Sequence, residues 1–123
     1  MPEDVSATWG GFFTFTNQLG QRITNGTAKH WTTDFGTQSI DLSGLGNGLV
    51  SRSQAFTTST TNIDRWAFEV KLEDHSIYKV SEKDCGFESS DSGGTVKLQA
   101  IISDSTHSFY ISMPNSTDCS TTF

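Results

Sequence analysis

The sequence predicts an all-β protein, an antiparallel two-sheet β-sandwich of eight or nine strands with little or no helix. Several stretches alternate between apolar and polar side chains, which is the period of a strand with one buried face. No window of a dozen residues has the three-to-four spacing of an amphipathic helix. The 17 Ser, 17 Thr and 11 Gly favour extended chain and turns. We expect one domain over residues 1–123, and a closed barrel is the alternative architecture.

The first strands are marked by their turns. A strand around Phe13 and Phe15, which would share one face, is followed by a short second strand that ends at Asn25-Gly26. This dipeptide suits the positive φ angles of a type I′ hairpin, so residues 27–32 are expected to return beside the second strand. The first three strands are therefore predicted to form a meander.

The clearest strand covers residues 65–72, where every even position is large and apolar and the odd positions are mostly charged. A glycine-rich loop is expected at residues 43–48, and a short hairpin connection at 104–106. Further strands are predicted over residues 37–42, 49–58, 76–80, 95–102 and 107–113. The predicted core side chains lie on the apolar faces of these strands: Trp66, Phe68, Val70, Val96, Leu98, Phe109 and Ile111.

Charge excludes one class of partner. Eight Lys and Arg against 14 Asp and Glu give a net charge of −6, the wrong sign for a phosphate backbone, so no nucleic acid is expected. Purely electrostatic attachment to anionic lipid is disfavoured for the same reason. The segment Met1 to Ala7 is polar and acidic, and no signal peptide is visible. We therefore expect a cytoplasmic or leaderless secreted protein.

The two cysteines, Cys85 and Cys119, have no spacing typical of a metal site. Two alternatives stay open for them. In the cytosol they would be two buried or idle thiols, whereas in an oxidising compartment they could form one bridge between the C-terminal tail and the preceding loop.

No motif in the chain indicates catalysis. The three histidines lack a metal-binding spacing, and no Gly-x-Ser-x-Gly elbow is present. The acidic residues between 82 and 91 lack the ligand order of an EF-hand loop. We therefore predict a protein that is not an enzyme and has no cofactor and no metal.

Two tryptophans point to a binding site. Trp31 lies in a polar segment, and Trp9 precedes a Gly-Gly pair near the N-terminus. An exposed tryptophan with polar neighbours suits a sugar face or the interfacial layer of a bilayer, although Trp31 could instead pack across the sheet. The predicted ligand-binding residues are Trp31, His30, Asp34, Asn25 and Trp9.

The run Phe13-Thr14-Phe15-Thr16-Asn17-Gln18-Leu19-Gly20-Gln21-Arg22-Ile23 resembles the opening of the aegerolysins and related small insecticidal proteins. The segments that follow in that family have counterparts in the same order at His30-Trp31, Ser39-Ile40, Ala55-Phe56 and residues 66–72. The chain departs from the family in lacking a Cys-Gly-Arg segment near its middle and a Trp-rich later half. Because of these departures, the resemblance does not specify which lipid is bound or which protein is the partner.

The resemblance implies a β-sandwich that binds membrane lipid and, often with a second toxin protein, damages a target membrane as a defence or insecticidal toxin. The alternative is a small leaderless lectin, in which Trp31 would stack on a sugar while Asp34 and Asn25 supply hydrogen bonds. A structural or inhibitory protein without a small ligand is a third possibility. The oligomeric state is left open.

Overall fold

The structure is a computed structural model that describes residues 7–123, so the first six residues of the acidic N-terminal segment lie outside it. Nine strands form two sheets, and the described residues contain no α-helix. A three-residue 3-10 helix, Ser89–Asp91, lies between the sixth and seventh strands. In chain order the strands are β1 (Thr8–Gln18), β2 (Ile23–Thr32), β3 (Gly36–Asp41), β4 (Gln54–Ser59), β5 (Arg65–Leu72), β6 (Ile77–Asp84), β7 (Thr95–Ser103), β8 (Thr106–Ser112) and β9 (Cys119–Thr122).

The two sheets pack face to face as a β-sandwich, which confirms the predicted fold class. One sheet has five strands in the order β4-β1-β7-β8-β9, and the other has four in the order β3-β2-β5-β6. Neighbouring strands are antiparallel except for β1 and β7, which are parallel. Because each strand alternates between an inward and an outward side chain, each sheet has one face in the core and one outer face.

The predicted meander of the first three strands is wrong, because the chain changes sheets between β1 and β2. The buried side chain of Asn17 organises this crossing. Its amide nitrogen donates to the carbonyl oxygens of Gln21 at 2.9 Å and Leu45 at 3.0 Å, and its amide oxygen accepts from the backbone N–H of Leu19. One polar side chain therefore joins two loops at this end of the sandwich.

The hairpin predicted at Asn25-Gly26 is also wrong, because both residues lie inside β2. A register shift between Ile23 and Asn25 marks a bulge at this point. A Cβ atom added to Gly26 would lie 2.9 Å from a methyl carbon of Val70 and 3.0 Å from the carbonyl oxygen of Glu69. Glycine is present here because β2 and β5 approach closely, not because the chain turns.

The other predicted elements are close to the observed ones. Residues 43–48 form the expected loop, and the connection between β7 and β8 is a tight hairpin in which Ser103 pairs with Thr106. The predicted strand 49–58 is shorter, since only Gln54–Ser59 is regular. Its first part still lies along β1, where the N–H of Ser51 donates to the carbonyl oxygen of Phe15 at 2.8 Å.

All seven predicted core side chains are buried, with at most 2% of their surface exposed. The core also contains a group of aromatic rings contributed by both sheets. Phe13 and Trp66 meet edge to face with ring centroids 5.7 Å apart, and Phe68 and Phe109 lie 4.9 Å apart. These rings fill the space between the sheets, so the two sheets pack against one shared core.

Cys85 and Cys119 form a disulfide, which decides between the two alternatives left open by the sequence. Cys85 follows β6 of the four-stranded sheet, and Cys119 begins β9 of the five-stranded sheet. The bridge therefore joins the two sheets along one edge of the sandwich.

The loop before β9 is held by the buried carboxylate of Asp91. It accepts hydrogen bonds from the backbone N–H groups of Glu88 at 2.8 Å, Asn115 at 2.7 Å and Ser116 at 2.9 Å, and from the Ser116 hydroxyl. Burial alone raises the pKa of Asp91, but the hydrogen bonds from Ser116, Glu88 and Asn115 outweigh it and hold the pKa below its usual value.

Candidate functional site

The candidate site is a hollow of about 690 Å³ on the outer face of the four-stranded sheet. Strand alternation explains which side chains reach it. On β2, Ala28 and His30 point into the core, so Lys29 and Trp31 point outward. On β5, the same alternation turns Ala67, Glu69 and Lys71 outward. Strands β2, β5 and β6 supply most of the residues around the hollow, which are Asn25, Gly26, Thr27, Lys29, Trp31, Thr37, Ala67, Phe68, Glu69, Val70, Lys71, Ile77, Lys79, Val80 and Ser81.

The hollow results from small residues surrounded by large ones. Ala67 of β5 pairs with Lys29 of β2, and Thr27 lies two residues along the same face. Directly opposed side chains on neighbouring strands are roughly 5 Å apart, so a short side chain next to long ones leaves an open space above it. Trp31 and the lysine side chains then form the rim.

The hollow extends along the strands from Trp31 to Asn25. Trp31 pairs with Arg65 near one end of β5, and Asn25 pairs with Lys71 near the other end. Trp31 lies six positions after Asn25 in the extended strand, which corresponds to roughly 20 Å. The structure therefore brings two of the five predicted binding residues to the same hollow, at its two ends.

Trp31 differs from the other two tryptophans in how its indole N–H is used. The N–H of Trp9 donates to the carbonyl oxygen of Phe87 at 3.0 Å, and that of Trp66 donates to the carbonyl oxygen of Cys85 at 2.9 Å. No acceptor for the Trp31 indole N–H is found among residues 7–123. This half-buried ring can therefore offer both an apolar face and a hydrogen-bond donor.

Trp9 belongs to the other sheet and does not line the hollow. It is half-buried on β1 and packs against the core, and its N–H is already used by Phe87. The structure gives Trp9 a packing position, away from Trp31.

His30 lies in the core, so the structure corrects the expectation that it contributes to an exposed site. Its ring is fully buried between Phe56 and Trp66, with centroid distances of 4.3 Å and 4.6 Å. Its two nitrogens lie 2.8 Å from a carboxylate oxygen of Asp64 and 2.8 Å from the amide oxygen of Gln38. Because β2 alternates, His30 and its neighbour Trp31 face opposite sides of the sheet.

Asp34 is exposed in the turn between β2 and β3, outside the hollow. Its carboxylate accepts a hydrogen bond from the side-chain amide of Asn62 at 3.1 Å, and its backbone N–H donates to the amide oxygen of the same residue. These bonds join the turn to the loop between β4 and β5. Asp34 therefore stabilises loops beside the Trp31 end of the hollow.

The sequence interpretation missed the charged residues of the hollow. These are Lys29, Glu69, Lys71 and Lys79. The alternation of residues 65–72 already turned Glu69 and Lys71 outward, so a signal for them existed. Lys79 comes close only through the register of β6 against β5, where it lies opposite Glu69, and no sequence pattern shows that register.

The hollow has a positive balance of charge in an acidic protein. It contains three of the five lysines of the chain and one glutamate. Within the described part of the chain, Arg65 forms ion pairs with Glu82 and Asp84, and no ion pair joins Glu69 to a lysine. Among residues 7–123, no carboxylate forms an ion pair with the lysine ammonium groups of the hollow.

Two further properties concern ligands and membranes. Among residues 7–123, no group of three or more His, Cys, Asp or Glu side chains is arranged to hold a metal ion. In the same part of the chain, no helix has the length and apolar character needed to cross a membrane.

Neither the protein-family models nor the curated proteins contain a match to this chain. The resemblance to the aegerolysins therefore stays a prediction based on the residues quoted for it.

Proposed function

We propose that this protein is a non-enzymatic carbohydrate-binding protein whose site is the hollow on the four-stranded sheet. The observation that carries the proposal is the position of Trp31 at the rim, with its ring half-buried and its N–H without a partner among the described residues. A sugar presents an apolar ring face surrounded by hydroxyl groups that donate and accept hydrogen bonds. The hollow offers a partner for each of these features.

Trp31 supplies the stacking face in this proposal, and the polar side chains around it supply the hydrogen bonds. Asn25 can both donate and accept, Glu69 accepts, and the lysines donate. The side chains belong to strands of a packed sheet, so their backbone positions are fixed before the ligand arrives. A hollow roughly 20 Å long suits several linked sugar units better than a single one.

Binding to membrane lipid, with or without a second toxin protein, is the other candidate and stays a prediction. Because the acidic charge disfavours electrostatic attachment, such binding would need exposed aromatic residues at loop tips that can enter the bilayer. Trp31 instead faces the hollow from within β2. The most exposed large apolar side chains are spread over both sheets and the loops: Phe12, Leu49, Val50, Ile63, Ile77 and Tyr110. Scattered apolar residues of this kind are ordinary on protein surfaces, which is why we rank sugar binding first.

The disulfide supports a location outside the reducing cytosol. Bridges such as Cys85–Cys119 form and persist in oxidising compartments and are rare in cytosolic proteins. Of the two expected locations, we therefore propose the secreted one, where extracellular glycans are accessible.

The proposal is tested by titrating the protein with a panel of neutral and charged oligosaccharides and recording tryptophan fluorescence and calorimetric heats. Because Asn25-Gly26-Thr27 is an N-glycosylation acceptor triplet, the protein should be produced in the bacterial periplasm, which forms disulfides without adding that glycan. We expect at least one oligosaccharide to bind, and Trp31→Ala to weaken that binding by about tenfold or more, as loss of a central aromatic contact commonly does.

Trp9→Phe and Tyr110→Ala are the matched controls. Trp9 and Tyr110 both belong to the five-stranded sheet, so these variants should bind sugar like the unmodified protein. Vesicles of phosphatidylcholine and sphingomyelin form a second arm. A response to vesicles but to no sugar would reject carbohydrate binding and favour the lipid-binding candidate, and silence in both arms would reject both.

A further inference from the structure

We infer that the carbohydrate recognised by this hollow is an acidic one, a soluble saccharide chain that carries carboxylate or sulfate groups. This inference rests on the proposed function and names the class of sugar. It comes from the contrast between the charge of the hollow and the charge of the whole protein.

The contrast is large for a chain of this size. The protein has a net charge of −6, which repels an anion at long range. Within the hollow, however, Lys29, Lys71 and Lys79 outnumber the single carboxylate of Glu69. A neutral sugar would gain little from three ammonium groups, whereas a carboxylate or sulfate forms charge-assisted hydrogen bonds with them. The local excess of lysine therefore favours an anionic ligand at this face.

The lysines are spread out rather than gathered at one point. Lys29 lies on β2, Lys71 on β5 and Lys79 on β6. Neighbouring strands are roughly 4.8 Å apart, so the backbones of Lys29 and Lys79 are separated by about 10 Å across the sheet. Such spacing suits negative groups repeated along a chain better than one compact anion.

The position of Glu69 narrows the kind of anionic ligand that fits the hollow. It lies on the central strand β5, directly opposite Lys79 and two residues from Lys71. A carboxylate at this position repels a small, densely charged anion such as inorganic phosphate, but it accepts hydrogen bonds from sugar hydroxyl groups. A saccharide with acidic groups separated by hydroxyl groups satisfies both kinds of side chain.

The test compares acidic sugars with uncharged derivatives of the same chain. Tetragalacturonate is compared with its fully methyl-esterified form, and a heparin hexasaccharide with a derivative that is desulfated, N-acetylated and methyl-esterified at its carboxylates. We expect the charged member of at least one pair to bind about tenfold or more tightly than its neutral partner. This preference should shrink as NaCl is raised from about 50 mM to about 500 mM, because salt screens exposed charges. Inorganic phosphate should not compete.

Two variants locate the effect. Lys71→Gln and Lys79→Gln should each weaken binding of the charged sugar by about three- to tenfold, because each removes one charge-assisted contact that solvent exposure weakens. Lys97→Gln is the matched control, since Lys97 is exposed on β7 in the other sheet, and this variant should bind like the unmodified protein.

The other possible results would contradict the inference, the proposed function or both. Equal binding of charged and neutral partners would overturn the inference and leave a neutral-sugar site in place. Loss of affinity in Lys97→Gln but not in Lys71→Gln and Lys79→Gln would overturn both the inference and the proposed site, because it would place binding on the five-stranded sheet. Binding of phosphatidylserine vesicles with the same dependence on Lys71 and Lys79, and of no saccharide, would overturn both the inference and the proposed function. If no saccharide and no vesicle binds, both fall together.

Discussion

The outer faces of the two sheets share the same core but have different surfaces. The four-stranded sheet presents Trp31, three lysines and a glutamate around a hollow. The five-stranded sheet presents mainly short hydroxyl and amide side chains, together with Phe12 and Tyr110, which are 44% and 40% exposed. The polar residues on that face include Thr14, Thr16, Thr57, Thr95, Gln99, Ser108 and Ser120.

This difference shows how a β-sandwich separates folding from binding. The inner side chains of both sheets determine stability through burial, and every second residue is free to vary outside. On the four-stranded sheet these free positions carry charge and an aromatic ring. On the five-stranded sheet they carry residues that favour extended chain. Changes to the core should therefore disturb both faces, whereas changes to one face should leave stability unaltered.

The largest effect is expected for Phe68→Ala, since Phe68 packs against Phe15 and Phe109 of the opposite sheet. Loss of this buried ring should lower the free energy of unfolding by about 3–5 kcal/mol in urea denaturation. The matched control is Phe12→Ala, at an exposed position on β1, which should cost less than about 1 kcal/mol. Equal costs for the two variants would contradict the assignment of inner and outer faces.

Removal of the disulfide should have the next largest effect. The bridge closes a loop between residues 34 positions apart, so replacing Cys85 and Cys119 by serine should cost about 3–4 kcal/mol on the chain-entropy estimate. Thermal unfolding with and without dithiothreitol provides the same comparison without mutation. An unchanged melting temperature after complete reduction would show that the two sheets do not depend on the covalent link.

Asp91 should make the protein sensitive to acid. Its pKa in the folded protein lies below the usual 3.8, so the folded state binds this proton less readily than the unfolded state. The stabilisation is therefore complete above about pH 5 and is lost as the pH falls through the folded pKa. Asp91→Asn should cost about 1–3 kcal/mol at pH 7 and reduce the loss of stability between about pH 5 and pH 2.

The control for that experiment is Asp74→Asn. Asp74 also has a lowered pKa, of about 2, mainly because of its hydrogen bond with Gln21, but it lies on the surface. Its replacement should change the neutral-pH stability much less than that of Asp91. Melting curves of both variants across the acid range would show whether the buried carboxylate is the one that matters. An unaltered acid profile in Asp91→Asn would contradict this assignment.

The smallest effect on folding is expected in the hollow itself. Lys71→Gln and Lys97→Gln lie on the outer faces of different sheets, and each should change the free energy of unfolding by less than about 0.5 kcal/mol. Urea denaturation of the two variants checks this directly. A cost above about 1 kcal/mol for Lys71→Gln alone would indicate that the charges of the hollow support the sheet rather than a ligand.

The alternation along the clearest strands was sufficient to predict the class of fold and part of the core. In residues 65–72, for example, the pattern placed Trp66, Phe68 and Val70 inside, and all three are buried. This succeeded because the periodicity of a strand is local, so neighbours in sequence decide which side chains share a face. For Trp31 the sequence left open whether the ring is exposed or packs across the sheet, and the structure shows it on the outer side of β2, where the hollow lies.

The order of the strands depended on contacts between distant residues. Asn25-Gly26 has the composition of a hairpin turn, but both residues lie within β2, where they pair with Lys71 and Val70 of β5. His30 has polar neighbours in sequence, yet its ring lies in the core. There its Nε2 atom shares a hydrogen bond with the carboxylate of Asp64, which is 34 residues away in the chain. Local composition carries no information about such partners.

The sequence by itself therefore determined the class of fold, the buried faces and the acidic charge, because these depend on composition and local periodicity. Only the tertiary structure decided that Lys29, Lys71 and Lys79 surround one hollow with Trp31. Their proximity depends on the register of β2, β5 and β6, and register is set by packing across the sheet rather than by neighbours along the chain.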